Sequence, residues 1–176
     1  MKKITIGMLI FLGMFILSGC TASPQPLTPE AVRADTSAGN KKERIINRPY
    51  SSVARTFRKM TPRCLDMRIE YHTTNAKYGR SGTDIFTPKI IRKSNKMTMT
   101  LQQRMWIDKD EWNGYVKSGL VDKDGIYVYV VDIEPVNAKQ TKVTTYERTW
   151  YRPPSEVFEA IDGWITGEQV GCPSLD

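Results

Sequence analysis

Three cysteines and a single histidine are the side chains of this 176-residue chain whose types most readily do chemistry. A cysteine thiol can act as a nucleophile, as a metal ligand or as half of a disulfide. Cys20, Cys64 and Cys172 are far apart, and the sequence has no C-x-x-C or H-x-x-x-H pair to build a metal site. No G-x-S-x-G motif or glycine-rich phosphate loop accompanies His72. The sequence therefore predicts no metal, no cofactor and no catalysis, and a hydrolase that uses His72 is the minor alternative.

The beginning of the chain has the composition of a signal peptide. Lys2 and Lys3 precede fourteen uncharged residues, Ile4 to Leu17. A membrane-spanning helix needs about 20 apolar residues, so this run is short for a span and fits an h-region of roughly 7–15 residues. The small residues Ser18 and Gly19 then lead to the first cysteine.

Leu17-Ser18-Gly19-Cys20 resembles the lipobox of bacterial lipoproteins. The resemblance covers only the first twenty or so residues. It implies that residues 1–19 are removed and that Cys20 receives three acyl chains, which anchor a protein without a spanning helix because each buried methylene contributes about 0.8 kcal/mol. In this family a residue other than Asp after the cysteine, here Thr21, implies the outer membrane, facing the periplasm. The inner membrane and the cell surface stay as alternative locations. An ordinary signal peptide or a buried N-terminal helix, each with an incidental cysteine, stays as the alternative to the lipobox.

Lipidation of Cys20 would leave an even number of cysteines in an exported chain. An oxidising compartment favours a disulfide between Cys64 and Cys172, which lie 108 positions apart. Closing a loop of about 100 residues is worth up to about 4.7 kcal/mol in the entropic account. The alternatives are two buried free thiols or a reactive site.

Residues 20–47 are predicted to be the lipidated cysteine and a flexible tether. The stretch contains three prolines and few bulky apolar residues, so it has little with which to form a core. A flexible chain of this length has an r.m.s. reach of roughly 25–30 Å. The alternative is an ordered arm that lies on the domain.

Residues 48–176 are predicted to form one domain. Two similar stretches, RPYSSVARTF (48–57) and RPPSEVFEAI (152–161), have Pro and Ser where a helix begins, followed by apolar residues at helical spacing. Between them, alternating stretches such as KMTMTLQQRMW and TKVTTYERTWY predict strands, and GIYVYVVDIE, apolar on both faces, suits a central strand. IFTPKIIRK is a weaker strand candidate because of Pro88. The predicted class is α+β, an antiparallel sheet of four to six strands flanked in sequence by an N-terminal and a C-terminal helix on one face.

Charge is distributed unevenly along the predicted domain. Residues 48–93 carry 11 Lys/Arg and 3 Asp/Glu, whereas residues 94–176 carry 9 and 13. Arg55, Arg58 and Lys59 share one side of the first predicted helix. This basic face would suit anionic headgroups, an anionic envelope polymer or an acidic protein, and the alternative is an ordinary solvated helix face. An exported, lipid-anchored chain is not expected to bind nucleic acid.

Two further patterns have simple structural interpretations. The acidic stretches DKDEW (108–112) and DKDG (122–125) lack the EF-hand spacing, and turn chemistry accounts for the second. The tryptophans are typical of a core, although they would also suit a groove for an apolar ligand; they are Trp106, Trp112, Trp150 and Trp164.

These patterns together predict a lipid-anchored, periplasm-facing protein that works by binding, as an accessory or structural part of an envelope assembly. Its partner would be an envelope protein or an anionic envelope polymer. The alternative is a carrier of a lipid or other apolar ligand in a groove between sheet and helices, for which a non-polar cavity of several hundred Å³ would be expected.

Overall fold

A computed structural model of the protein describes residues 28–35, 40–71, 82–107, 119–120, 125–148, 153–168 and 171–174. The helices are α1 (Pro29–Ala34), α2 (Tyr50–Cys64) and α3 (Ser155–Thr166). The strands are β1 (Lys41–Ile46), β2 (Met67–Tyr71), β3 (Gly82–Lys93), β4 (Lys96–Ile107), β5 (Gly119–Leu120), β6 (Ile126–Pro135) and β7 (Thr141–Glu147).

The strands form one antiparallel sheet in the order β1-β7-β6-β4-β3-β2, with the two-residue β5 paired to β4 beside this path. β1 joins the sheet next to the last strand, so α2 lies in the connection from one edge of the sheet to β2 at the other edge. The predicted α+β class with an antiparallel sheet is confirmed. The six strands along the main path agree with the predicted four to six, and β6 is central as its apolar sequence indicated.

The alternating sequences give the sheet two different faces. Side chains of successive strand residues point to opposite sides, and paired residues in neighbouring strands share a side. We call one side the core face; its buried residues on the two central strands include Met97, Met99, Leu101, Val131 and Ile133. We call the other side the polar face; its residues include Thr98, Thr100, Asp132 and Thr144.

The hydrophobic core joins the core face to α2 and α3. Val53, Phe57 and Met60 on α2 recur at helical spacing and are at most 3% exposed. The ring of Phe57 packs edge-on against Trp164 of α3, with 5.8 Å between ring centroids. The prediction that Trp164 is a core residue is confirmed, since its side chain is fully buried.

Both predicted helices begin immediately after a proline, α2 after Pro49 and α3 after Pro154, as the two similar stretches indicated. α3 ends at Gly167, whose left-handed backbone (φ 86°) favours glycine. The guanidinium of Arg48 donates to the carbonyl oxygens of Trp164 and Ile165, each at 2.7 Å. Arg48, just before α2, thus supplies hydrogen-bond donors to carbonyl oxygens of the last turn of α3 and fixes the two helices relative to each other.

The predicted tether is wrong for residues 28–35 and 40–47, which follow the alternative of an ordered arm. Lys41–Ile46 form β1 and pair with β7 along the whole strand. The charged sequence KKERII resembles a linker, but an edge strand tolerates charges because one backbone edge and much of its surface face water. The folded part of the chain therefore includes residues before the predicted boundary at 48.

α1 contacts β6 and β7, and Arg33 reaches Thr98 and Asp132 on the polar face. The predicted arrangement, with helices on one face only, is therefore not confirmed for the chain as a whole. α2 also does not begin the fold, because α1 and β1 precede it.

Candidate functional site

The predicted basic face lies on the exposed side of α2. Arg55, Arg58 and Lys59 are all exposed, while the apolar residues that alternate with them point into the core. Arg63, one turn beyond Lys59, is also exposed and extends the face. Pro62 beside it obscured this in the sequence, because a proline in the interior of a helical pattern usually ends or bends the helix. We use the name basic face for these four residues.

The described residues provide no ion-pair partner for the basic face. The sequence of α2, YSSVARTFRKMTPRC, contains no Asp or Glu. Within the described ranges none of the four cations forms an ion pair; the Nε of Arg58 donates to the carbonyl oxygen of Ala54 at 3.2 Å. Four cations on two turns and a half of helix repel one another, and an anionic partner would relieve that repulsion.

A groove lies between β1 and α3, and the sequence did not predict it. Part of it is a cavity of about 390 Å³. The cavity is lined by Asn40, Lys42, Arg44, Tyr129, Thr145, Glu147, Pro153, Ser155, Phe158 and Asp162. A wider opening of about 640 Å³ continues along α3 and shares Lys42, Phe158 and Asp162 with the cavity. The two walls come from residues more than 100 positions apart, so no local pattern could have shown them together.

The floor of the groove is aromatic and its rim is charged. Tyr129 and Phe158 pack edge to face, with 5.0 Å between ring centroids. Burial raises the pKa of Tyr129 to about 12, so its phenol keeps its proton at neutral pH. Arg44 forms an ion pair with Asp162 across the groove, whereas Lys42 is exposed and has no ion pair within the described part of the chain.

A charged network occupies the polar face under α1. Asp132, with a side chain 5% exposed, accepts hydrogen bonds from Arg33 Nη2 at 2.8 Å and Thr98 Oγ1 at 2.7 Å and pairs with Lys96 Nζ at 3.1 Å. Burial alone would raise the pKa of Asp132, but these hydrogen bonds outweigh burial and hold its pKa below the ordinary value. Glu134, two residues on, bridges Lys96 and Lys142 at 3.0 and 3.2 Å. This network holds α1 against the sheet.

Cys64 and Cys172 lie at disulfide distance, with their Cα atoms 5.0 Å apart, in agreement with the predicted pairing. Cys64 is buried at the end of α2. Trp164 Nε1 donates to the carbonyl oxygen of Gly171 at 2.8 Å, which gives residues 171–174 a second attachment to α3. The end of α2 and the chain beyond α3 therefore meet, as the predicted bridge required.

Several sequence-predicted residues lie outside the described ranges. They are Cys20, His72, Trp112, Trp150, the stretch 108–112 and residues 122–124 of the second acidic stretch. Among the residues that the structure does describe, no group of three or more His, Cys, Asp or Glu side chains could hold a metal ion. No helix among the described residues has both the length and the hydropathy of a membrane span.

No protein-family model, curated protein or solved structure matches this chain significantly.

Proposed function

We propose that this chain is a lipid-anchored protein of the bacterial envelope that binds an anionic partner through the basic face of α2. In this proposal α2 and α3 lie side by side over the core face, and the charged side of α2 points away from the sheet. The observation that carries the proposal is the set of four exposed cations on a helix without acidic residues. The protein would act by binding, as an accessory part of an envelope assembly, and would catalyse no reaction.

The charge of the basic face determines how strongly it would bind an anionic partner. A Lys or Arg near an anionic surface contributes about 1 kcal/mol, so four contribute on the order of 4 kcal/mol, close to a thousandfold in affinity. The attraction extends over about one Debye length, roughly 10 Å at 0.1 M salt, and weakens as the salt concentration rises. An acyl anchor at Cys20 would add to this binding by keeping the domain close to the envelope.

Replacing Arg55, Arg58 and Lys59 by Glu is expected to weaken envelope binding at least about 100-fold at low salt, and much less at high salt. The measurement is sedimentation of the non-lipidated chain, residues 21–176, with isolated envelopes across a salt series. Vesicles that contain phosphatidylglycerol, compared with phosphatidylcholine vesicles, report whether lipid phosphate alone suffices.

The matched control reverses Lys89, Lys93 and Lys139, which are exposed, lie outside α2 and have no ion pair in the described residues. It changes the net charge by the same amount. Equal losses in the two triple variants would mean that net charge, rather than the basic face, drives binding, and unchanged binding of the α2 variant would contradict the proposal.

Replacing Cys20 by Ala is expected to prevent acylation and processing, so that the chain leaves the detergent-soluble membrane fraction or keeps its unprocessed size. The physical reason is that stable anchoring needs roughly two acyl chains and the variant carries none. Metabolic labelling with a radioactive fatty acid and fractionation measure both effects. A Ser23→Ala variant, close to Cys20 in the sequence, serves as the control, and a Cys20→Ala protein of mature size in the membrane fraction would disprove the lipid anchor.

The alternative of an apolar carrier has one supporting observation, the aromatic floor that Tyr129 and Phe158 form in the groove. The same cavity has Lys42, Arg44, Glu147 and Asp162 in its walls, so a wholly apolar ligand would leave these charges partly desolvated. The groove suits a ligand with polar groups along its length better than a lipid chain.

A further inference from the structure

Among the described residues, nothing pairs with the outward backbone groups of β1, which lie beside the groove. Glu147 donates its backbone N–H to the carbonyl oxygen of Asn40 at 2.8 Å, which makes these two residues a hydrogen-bonded pair. In an antiparallel ladder such pairs recur at every second residue, so Lys42, Arg44 and Ile46 point their backbone groups toward β7. The backbone groups of the intervening residues, Lys41, Glu43 and Ile45, point away from the sheet. No other described strand pairs with this edge.

The groove runs along the same edge, on the core face. Lys42 and Arg44 have their side chains on the core face because they pair with Thr145 and Val143. Both line the 390 Å³ cavity, and α3 supplies the opposite wall through Phe158 and Asp162. A strand added to β1 would therefore send every second side chain toward the cavity and the facing side of α3.

We propose that the edge of β1 and the groove beside it bind an extended peptide segment of a partner protein as an additional strand of the sheet. Backbone hydrogen bonds to Lys41, Glu43 and Ile45 would hold the segment, and the groove would select its side chains. This surface is separate from the basic face, so the proposal goes beyond the function proposed above.

The lining of the groove defines the chemistry of the segment. The edge-to-face pair of Tyr129 and Phe158 provides a surface for an aromatic or large apolar side chain. Arg44 is already paired with Asp162, which leaves Lys42 as the cation available to a ligand. An acidic side chain beside Lys42 would complete a cross-strand pair of opposite charges. The expected segment has an aromatic or large apolar residue two positions from an Asp or Glu.

A second copy of β1 is a poor occupant of this edge. Two copies could pair only around a two-fold axis perpendicular to the sheet, because their outward-facing backbone groups must meet and the core faces must align. A pairing centred on Glu43 would place Glu43 opposite its own copy and Lys42 opposite Arg44 of the second copy. Like charges directly opposite each other are destabilising, so this register disfavours self-association, and the proposal takes a segment of a different protein as the occupant.

The test is selection from a phage-displayed library of ten-residue peptides, randomised at every position, on the mature lipidated protein in detergent micelles. We expect the enriched peptides to share the alternating pattern of an apolar or aromatic residue and an acid two positions apart. A Lys42→Glu variant should select Lys or Arg in place of the acid.

Two substitutions at one position separate the backbone edge from the side chain. Glu43→Pro removes an outward N–H and spares the bonds to β7, whereas Glu43→Ala removes only the side chain. Synthetic versions of the enriched peptides should bind Glu43→Pro about tenfold more weakly and Glu43→Ala nearly as well as the wild type. Thermal unfolding checks that both variants fold, and if Glu43→Pro does not, peptides N-methylated at alternate residues make the same test on the wild-type protein.

Other results would overturn the proposal. The proposal would be wrong if the selection enriched no peptides, if the enriched peptides lacked the alternating pattern, or if peptides bound equally well after loss of the backbone N–H groups. It would also be wrong if the enriched peptides matched residues 21–27 of this chain, or if the protein formed a dimer that Glu43→Pro dissociates. The last two would assign the edge to the chain itself or to a second copy. Reversing Arg55, Arg58 and Lys59 should leave peptide selection unchanged, so failure of the function proposed above and failure here are distinguishable.

Discussion

Replacing Asp132 by Ala is expected to lower the free energy of unfolding toward the lower end of about 3–5 kcal/mol, the range seen when one partner of a buried ion pair is removed. The lower end applies because Arg33 and Lys96 keep 25% and 39% of their side-chain surface exposed and can find water. The change also frees Thr98 Oγ1, which donates to Asp132 in the wild type. Urea denaturation at pH 7 measures the loss.

Glu134→Gln is the matched control for this prediction. Glu134 is on the same strand and the same face, and it pairs with the same Lys96, but its side chain is 32% exposed. Pairs near the surface contribute about 0–1 kcal/mol each, so the loss of its two pairs should cost the control at most about 2 kcal/mol. Similar losses in the two variants would contradict the view that burial makes Asp132 the critical residue of the network.

The lowered pKa of Asp132 also predicts how the free energy of unfolding depends on pH. Its pKa in the folded chain is below the ordinary value of 3.8, so its stabilising contribution is fully present above pH 3.8 and disappears as the pH falls through the lower folded value. The hydrogen bond from Lys96 lowers the pKa of Glu134 as well, although burial opposes it, and this contribution disappears below 4.5. The stability difference between the wild type and Asp132→Asn should therefore be constant near neutral pH and shrink in strong acid.

Loss of the contacts that Asp132 makes should loosen α1 before it affects the rest of the fold. α1 has six residues, too few to be stable alone, and within it only Val32 is buried. Arg33 supplies its ion pair to the sheet. Hydrogen exchange of residues 28–35 should therefore accelerate in Asp132→Ala more than exchange in the core of β6, which would show that the network fastens the segment leading to the proposed anchor.

The sequence predicted the elements whose patterns are local. β4 and β7 alternate clearly, and α2 and α3 combine a proline start with apolar residues at helical spacing, so each was recognisable within about a dozen residues. The exposure of Arg55, Arg58 and Lys59 followed from the same spacing, because the opposite side of α2 had to face the core.

The strands that sequence reasoning missed or considered weak candidates depend on distant partners. β1 is charged, and only β7, about 100 positions later, makes it a strand. β3 continues through Pro88. The described part of β2 pairs only with residues 82–86 of β3, so this edge of β3 is open at Pro88, where no backbone N–H is needed for pairing. Asp132 lies among apolar residues of β6, but nothing near it in the sequence identified Arg33 as its partner.

The second large effect concerns the disulfide. Replacing both Cys64 and Cys172 by Ser is expected to lower the free energy of unfolding by about 2–5 kcal/mol, since the bridge closes a loop of 108 positions. The bridge joins the buried end of α2 to the segment after α3 and is the only covalent cross-link that the described residues show. Its loss would raise the conformational entropy of the unfolded chain. Urea denaturation with and without reductant measures the effect.

The wild type with reductant is the internal control, because it should match the double variant and the variant itself should not respond to reductant. The hydrogen bond from Trp164 to Gly171 does not involve the sulfurs, so the C-terminal segment should stay docked in the folded variant and the tryptophan fluorescence should change little before unfolding. Labelling of denatured, unreduced protein with a thiol reagent gives the decisive count: label on both Cys64 and Cys172 would show that the bridge does not form. Full protection of both, together with loss of stability in the variant, would show that an oxidising compartment supplies part of the free energy that keeps this fold together.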